Sequence, residues 1–430
     1  MSPTPAPPNA AALACTGATG AAAAARAPIP ALRTGRNVRR WRLSSRAAFY
    51  LEASLTLGIL AGSAAPTPLY TVYRAQWGFS PTMLTVAFGV YALAVLAALL
   101  VAGRLSDHVG RRPVMIAAAV AQALVMVEFA HANCLADLLV GRVLQGLSAG
   151  AALAAVGAGL LDLDKRGGAI ANAVAPMLGT ALGGIVAGLM VQYLPAPTHL
   201  VYEVLGIVFA LQAIALVFIA ETVKPRPGAY ASLKPSFALP SAVRGPLLAV
   251  APAVIALWAM SGFYASLGPT LVRQLVGSGS FVLGGLALFV MAGSGAAAVL
   301  ALRAREPEDL LRGGATGLLV GVAVVLASLS LKSLTIFMIG TTVAGVGFGA
   351  AFQGAIRTVV AAAAPTQRAG VLSLLFVFSY LAMGIPAIMA GARFAATGDI
   401  ISTAREFGVT IAVLATLALI GTHSRPVASV

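Results

Sequence analysis

Charge is what this sequence has least of. Only 10% of its 430 residues are Asp, Glu, Lys or Arg while 59% are hydrophobic, too little polar side chain to cover a water-facing globule. Histidine and cysteine are scarcer still, with four of one and two of the other. Cys15 and Cys134 give no disulfide framework, and no Cys/His cluster has metal-ligand spacing, so neither metal nor cofactor is expected. His108, His131, His199 and His423 fall in loops or near the ends of apolar runs; with no convergent catalytic set the chain is not expected to be an enzyme. Rings of repeated charge that would line a channel are missing as well.

What is present is length and grease. Apolar runs predict helices near 47–66, 82–102, 113–131, 137–160, 168–193, 200–220, 246–271, 281–301, 314–331, 334–357, 369–390 and 403–421, each about the 20 residues a bilayer core requires. In hydrocarbon every backbone N–H and C=O must be paired within its own segment, so such runs are helices rather than strands. The fold class expected is an all-α integral membrane protein of twelve spans.

The net charge of +15 sits in short basic clusters between apolar runs, which points to membrane topology and away from nucleic acid. With the N-terminus inside, Arg33 to Arg46, Arg104, Arg111, Arg112, Lys165, Arg166, Lys224 to Arg244, Arg303, Arg305, Arg312, Arg368 and Arg425 lie on the cytoplasmic side. The outside keeps only Arg74, Arg273, Lys332, Arg393 and Arg405. That asymmetry predicts both termini in the cytoplasm. Residues 1–46 form an Ala/Pro/Arg-rich tail of disordered composition, and 221–245 a Pro- and Lys/Arg-rich stretch that reads as a linker between six-helix halves at 47–220 and 246–422.

The halves echo each other about 200 residues apart. Ser63-Ala64-Ala65-Pro66-Thr67 matches Ser266-Leu267-Gly268-Pro269-Thr270, Gly146-x-x-x-Gly150-Ala151-Ala152 matches Gly345-x-x-x-Gly349-Ala350-Ala351, and Arg166-Gly167-Gly168 matches Arg368-Ala369-Gly370. Duplicated bundles let one half rock against the other around a midplane site. The two prolines are either gate hinges or plain helix ends, and G-x-x-x-G taken singly is simple helix packing.

Between the second and third spans stands GRLSDHVGRRP, Gly103 to Pro113. It closely resembles the loop signature G-x-L-[SA]-D-x-x-G-R-[RK] of the major facilitator superfamily, and the resemblance extends from about residue 47 to 421. It implies two six-helix bundles working by alternating access. It also implies that Gly103, Asp107, Gly110, Arg111 and Arg112 form a conformational latch, with Asp107 facing Arg368 at the start of the eleventh span. Asp107 also offers an anion to a helix N-terminus; the alternative for the whole loop is a basic cytoplasmic turn. The matching loop of the second half, Leu302 to Gly314, keeps its arginines but lacks the G-x-x-x-D frame.

Gly141-Arg142-Val143-Leu144-Gln145-Gly146 resembles a second motif of that superfamily, in which the arginine is implicated in proton coupling. An arginine inside a span is costly and usually faces protein or an aqueous cavity; Arg142 is therefore a coupling residue or a structural anchor reaching the outer surface. Glu52, early in the first span where drug antiporters of the superfamily often carry an acid, is the second coupling candidate. It differs from Arg142 in depth by about 15–20 Å at 1.5 Å per residue, which makes Glu128 the expected ion-pair partner of Arg142. Pro176, Gly179 and Gly183 resemble the antiporter motif G-P-x-x-G-G in degraded form, Ala175 and Thr180 replacing two glycines. Substrate-cavity candidates are Tyr70, Trp258, Phe263, Tyr264 and Tyr380.

These features together predict a monomeric multi-pass transporter of a bacterial inner membrane that exports small, fairly apolar, drug-like compounds against protons. The alternative is a proton-coupled uptake symporter for sugars or metabolites. A receptor, sensor or polytopic enzyme is the different class, with nothing in the sequence pointing to it.

Overall fold

The computed structural model describes residues 42–234, 239–277, 279–364 and 367–423. Residues 1–41 of the expected tail and the terminus at 424–430 lie outside them. The first bundle consists of α1 (Ser45–Ala64), α2 (Pro66–Trp77), α3 (Pro81–Ala102), α4 (Ser106–Val109), α5 (Arg111–His131), α6 (Leu135–Leu163), α7 (Lys165–Tyr193) and α8 (Pro197–Leu216). After a single turn, α9 (Ala229–Ser232), the second comprises α10 (Ser241–Ser266), α11 (Gly268–Val276), α12 (Phe281–Ala301), α13 (Pro307–Leu331), α14 (Leu334–Ala361), α15 (Arg368–Thr397) and α16 (Ile400–His423). Twelve of these units are long and apolar enough to cross a membrane, α1 and α2 counting as one.

Local chemistry starts and stops the helices. Ser44 caps α1 by accepting from the Ala47 amide at 3.2 Å, and Asp164 caps α7 through the Arg166 and Gly167 amides, both at 3.0 Å, filling donors that a helix start leaves open. The first and seventh runs, expected to stop near 66 and 271, continue further. Pro66 breaks the ladder and opens α2, which runs to Trp77, while α11 runs to Val276; both end on glycines in the left-handed region, Gly78 (φ 68°) and Gly277 (φ 64°).

The duplicated G-x-x-x-G motif has one packing role in each half. Gly146 and Gly150 seat α6 on the backbone of α3, and Gly345 and Gly349 seat α14 on the backbone of α12, the close approach that small residues allow in lipid. Between the bundles, α7 packs along α12 and α3 along α15. Inter-bundle hydrogen bonds gather at the end opposite α4. There Thr67 Oγ1 donates to the Ala265 carbonyl at 2.9 Å, and Gln192 Oε1 accepts from Ser280 Oγ at 2.9 Å and the Phe281 amide at 3.0 Å.

Candidate functional site

Pro66 has no amide hydrogen to offer the Gly62 carbonyl one turn earlier, and this missing bond shapes the centre of the first bundle. Gln145 of α6 supplies the replacement, its Nε2 donating to Gly62 O at 3.0 Å. Arg142, one turn before it, is fully buried. Its Nη1 donates to Ser63 O at 3.0 Å and to Gln145 Oε1 at 2.8 Å, and its Nη2 to the Tyr70 hydroxyl. The guanidinium also lies over three rings, Tyr70 at 5.3 Å, Tyr91 at 5.4 Å and Phe129 at 5.9 Å. Cation–π contact and carbonyl dipoles therefore stand where a counter-ion would. Among the described residues no carboxylate is bonded to Arg142, and its Nε has no partner. Glu128, the expected partner, is exposed instead, and no ion pair between it and Arg142 occurs among the described residues. Full burial also removes the reading of Arg142 as a side chain reaching the surface.

Tyr70 belongs to the arginine cluster rather than to an open cavity, because it is completely buried on α2. Tyr73 beside it donates its hydroxyl to that of Tyr202 at 3.1 Å. The polar belt extends to Gln122 of α5, whose Nε2 donates to Gln145 O at 3.1 Å and Ser148 Oγ at 2.9 Å. Gln122 escaped the sequence reading, and Gln145 entered it only as part of the motif around Arg142, with no role of its own; two glutamines inside apolar runs were the available signal.

Glu52 occupies a separate place nearer the α4 end. It is 1% exposed, and its Oε2 has no hydrogen-bond partner. Gly159 of α6 makes room for it, since a Cβ there would stand 2.5 Å from Oε2. Asp162, Glu221 and Arg111 are its electrostatic neighbours. Glu52 and Arg142 do not meet.

The loop after α3 is built around Arg111 and Glu221. Arg111 pairs with Asp107 one turn earlier, reaches Asp162 at 3.4 Å, and donates to Ser106 Oγ at 2.7 Å. Glu221 receives the Arg111 and Arg112 amides at 2.9 and 3.0 Å, and Arg112 Nη2 donates to the Val217 carbonyl. The anion at the start of α5 is therefore Glu221, not Asp107, because Asp107 is held by its own arginine. Gly110 (φ 104°) leaves space for that carboxylate: a Cβ would lie 2.5 Å from Glu221 Oε2. Gly103, by contrast, has ordinary helical angles (φ −57°, ψ −30°). Arg368 donates to the Ala363 carbonyl at 3.4 Å, and no Asp107–Arg368 ion pair occurs among the described residues.

Pro176 lies inside α7, and the residues after it set two contacts. Gly179 and Gly183 face the α1 backbone at Leu57 and Ala61, whereas Gly184 faces Leu288 and Gly285 of α12 in the other bundle.

In the second bundle Trp258 of α10 is the hub of an aromatic group: Phe352 at 5.3 Å and Phe348 at 5.7 Å meet it edge-on, and Tyr380 of α15 stacks at 6.0 Å. Trp258, Phe352 and Tyr380 are only half-buried, and the Trp258 indole N–H has no acceptor. Phe348 and Phe352 were missed in the sequence, being ordinary apolar residues of their run. Phe263 and Tyr264 do not join this group. Phe263 stacks on Phe407 at 4.9 Å, and the Tyr264 hydroxyl bonds Thr341 Oγ1 at 2.8 Å, both buried. They pack the bundle instead of lining a cavity.

Residues 53–387 match the family described as Major Facilitator Superfamily. The chain belongs to that superfamily. This transporter is 29% identical over 319 residues to the multidrug resistance protein MdtL of Klebsiella pneumoniae (strain 342), a match covering 69% of this chain and 76% of that one. It is 41% identical over 88 residues to MdtL of Escherichia coli O45:K1, covering 20% of this chain and 22% of the relative. Among solved structures, a bacterial homolog of the human lysosomal transporter Spinster, inward-facing and unoccupied, superposes with a TM-score of 0.69 at 13% identity, covering 88% of this chain and 97% of its own. The human organic anion transporter MFSD10 gives 0.62 at 17% identity, covering 88% and 100%. The structural likenesses carry the fold; family membership makes the chain a multi-pass secondary transporter.

Proposed function

We propose that this transporter exports small, apolar, drug-like compounds in exchange for protons, working by alternating access as a monomer in a bacterial inner membrane with both termini cytoplasmic. The observation that carries the reading is Glu52, a carboxyl 1% exposed whose Oε2 lacks any hydrogen-bond partner. A buried acid without a paired cation is a group that can load and unload a proton as access alternates. The half-buried aromatic group around Trp258 supports an apolar, planar substrate, since flat rings gain from stacking, and its free indole N–H offers one hydrogen bond. The multidrug resistance relatives favour the same substrate class. In this reading the loop after α3 is a cytoplasmic latch that closes when Asp107 meets Arg368, and Arg142 couples the two access states by holding the α1–α2 break.

The test uses proteoliposomes with an imposed pH gradient and a panel of fluorescent lipophilic compounds. Extrusion against a substrate gradient, coupled to proton entry, is expected. E52Q should insert normally, lose gradient-driven accumulation and keep passive substrate exchange. Proton-coupled inward flux would replace export by uptake, and unchanged driven export in E52Q would remove Glu52 from the mechanism.

A further inference from the structure

At the end of the molecule opposite α4, a cavity of about 730 Å³ opens between the tips of α2 and α11. Two arginines line it, one from each bundle. Arg74 leaves α2 and rests its guanidinium 5.8 Å from the Phe394 ring of the second bundle. Arg273 leaves α11, lies 4.9 Å from the Phe281 ring, and donates from Nη1 to Thr71 Oγ1 of the first bundle at 3.0 Å. Each cation thus reaches across the seam. Thr71, Thr270 and Gln274 add neutral polar groups, and no Asp or Glu is among the described lining residues. Glu406, a carboxylate on that end, is already held by Arg393 at 2.6 Å.

Like charges facing one cavity repel each other, and an anion between them converts repulsion into attraction on both sides. Guanidinium forks suit an oxyanion with two or more acceptor oxygens. We propose that this vestibule binds an oxyanion, a carboxylate, sulfonate or phosphate group, and that the bound anion ties the two bundles together at this end. The site is distinct from the aromatic group around Trp258 and does not depend on the substrate being exported. A free anion and a lipid headgroup share the chemistry; the cavity is equally suited to either.

The experiment uses the full chain with Cys15 and Cys134 changed to Ser and Thr67 changed to Cys, in phosphatidylcholine nanodiscs. Thr67 is 2% exposed in the inter-bundle contact, so a water-soluble maleimide reaches Cys at this position only when this end opens. Sodium sulfate is titrated against sodium chloride at matched ionic strength, reading labelling rate and thermal unfolding. Sulfate is expected to slow labelling several-fold and raise Tm, both saturably. R74Q and R273Q should each weaken the apparent affinity about tenfold, the equivalent of about 1.4 kcal/mol, and the double variant should abolish the response. R393Q should leave it intact. R74K/R273K, which keeps both charges, guards against misfolding and should retain a weakened response. Repeating the assay with phosphatidylglycerol in the discs separates the sources. Slow labelling without sulfate, lost in R74Q/R273Q, identifies a headgroup; labelling that slows only on adding sulfate identifies a free anion. A response equal in chloride, one that survives in R74Q/R273Q, absence of any response in a folded R74K/R273K, or faster labelling with sulfate would overturn the proposal.

Discussion

Replacing Gly146 by alanine adds one methyl at the point where α6 touches α3. Its Cβ would stand 2.6 Å from both the Tyr91 carbonyl oxygen and the Ala94 Cβ, and 3.0 Å from the Val95 amide nitrogen. Two of these are backbone atoms, which cannot rotate away. Restoring ordinary contact at 3.4 Å requires the helices to part by about 0.8 Å, and overpacking of this kind costs about 1–3 kcal/mol. Gly157, eleven residues along the same helix, is the control: the nearest atoms to a Cβ there belong to the Asn172 side chain, the first at 3.5 Å, an ordinary contact. Both substitutions share the helix-propensity gain of about 1 kcal/mol, so their difference isolates packing. Unfolding of the purified variants in mixed micelles, followed by circular dichroism, should place G146A about 1–3 kcal/mol below G157A. Transport should fall with it, because Tyr91 rides on the displaced segment and covers the Arg142 guanidinium at 5.4 Å. A difference within about 0.5 kcal/mol, the range of an uneventful surface change, would refute the argument that α3 and α6 are in backbone contact here.

R142K keeps the charge but replaces a fork by a point donor that cannot reach Ser63 O, Gln145 Oε1 and Tyr70 together; losing two such bonds in a membrane interior costs about 1–2 kcal/mol, visible as a lower unfolding midpoint with reduced transport. In D107N the lost interaction is a pair with Arg111 in which the acid is half-exposed, worth about 0.2–1 kcal/mol. Abundance should hold while transport drops, and equal transport at equal expression would remove Asp107 from the latch. W258A deletes the ring that gathers Phe348, Phe352 and Tyr380, and should raise KM for an aromatic substrate about tenfold, the equivalent of 1.4 kcal/mol. An unchanged KM would exclude that aromatic group as the binding platform.

The architecture was legible because a membrane protein writes its fold in local terms. Length and apolarity mark each span, Gly103 to Pro113 marks the second loop, and Gly146-x-x-x-Gly150 with Gly345-x-x-x-Gly349 marks equivalent helix pairs. Partnerships that depend on distant residues were not legible. Glu221 caps α5 from 110 residues away in sequence, and nothing in its surroundings, a polar linker, distinguishes it from a solvated charge. Arg142 drew attention to acids because a charge in lipid usually has a counter-ion; the structure answers it with carbonyls, a hydroxyl and ring faces, which no count of acids reveals. Tyr70 was read as lying beyond the first span because Pro66 looks like a terminus. It is a break within a longer rod, and the break frees the Gly62 carbonyl that Gln145 occupies.

Two consecutive glycines on α7 look in opposite directions, Gly183 onto Ala61 of its own bundle and Gly184 onto Gly285 across the divide. Neighbouring letters of the sequence therefore govern separate mechanical properties. A methyl at 183 wedges apart helices that should never separate and harms folding. One at 285, where a Cβ would stand 2.3 Å from the carbonyl oxygen of Gly184 itself, wedges apart the two bundles whose relative movement the proposed alternating access requires, biasing which way the molecule faces while each half stays whole.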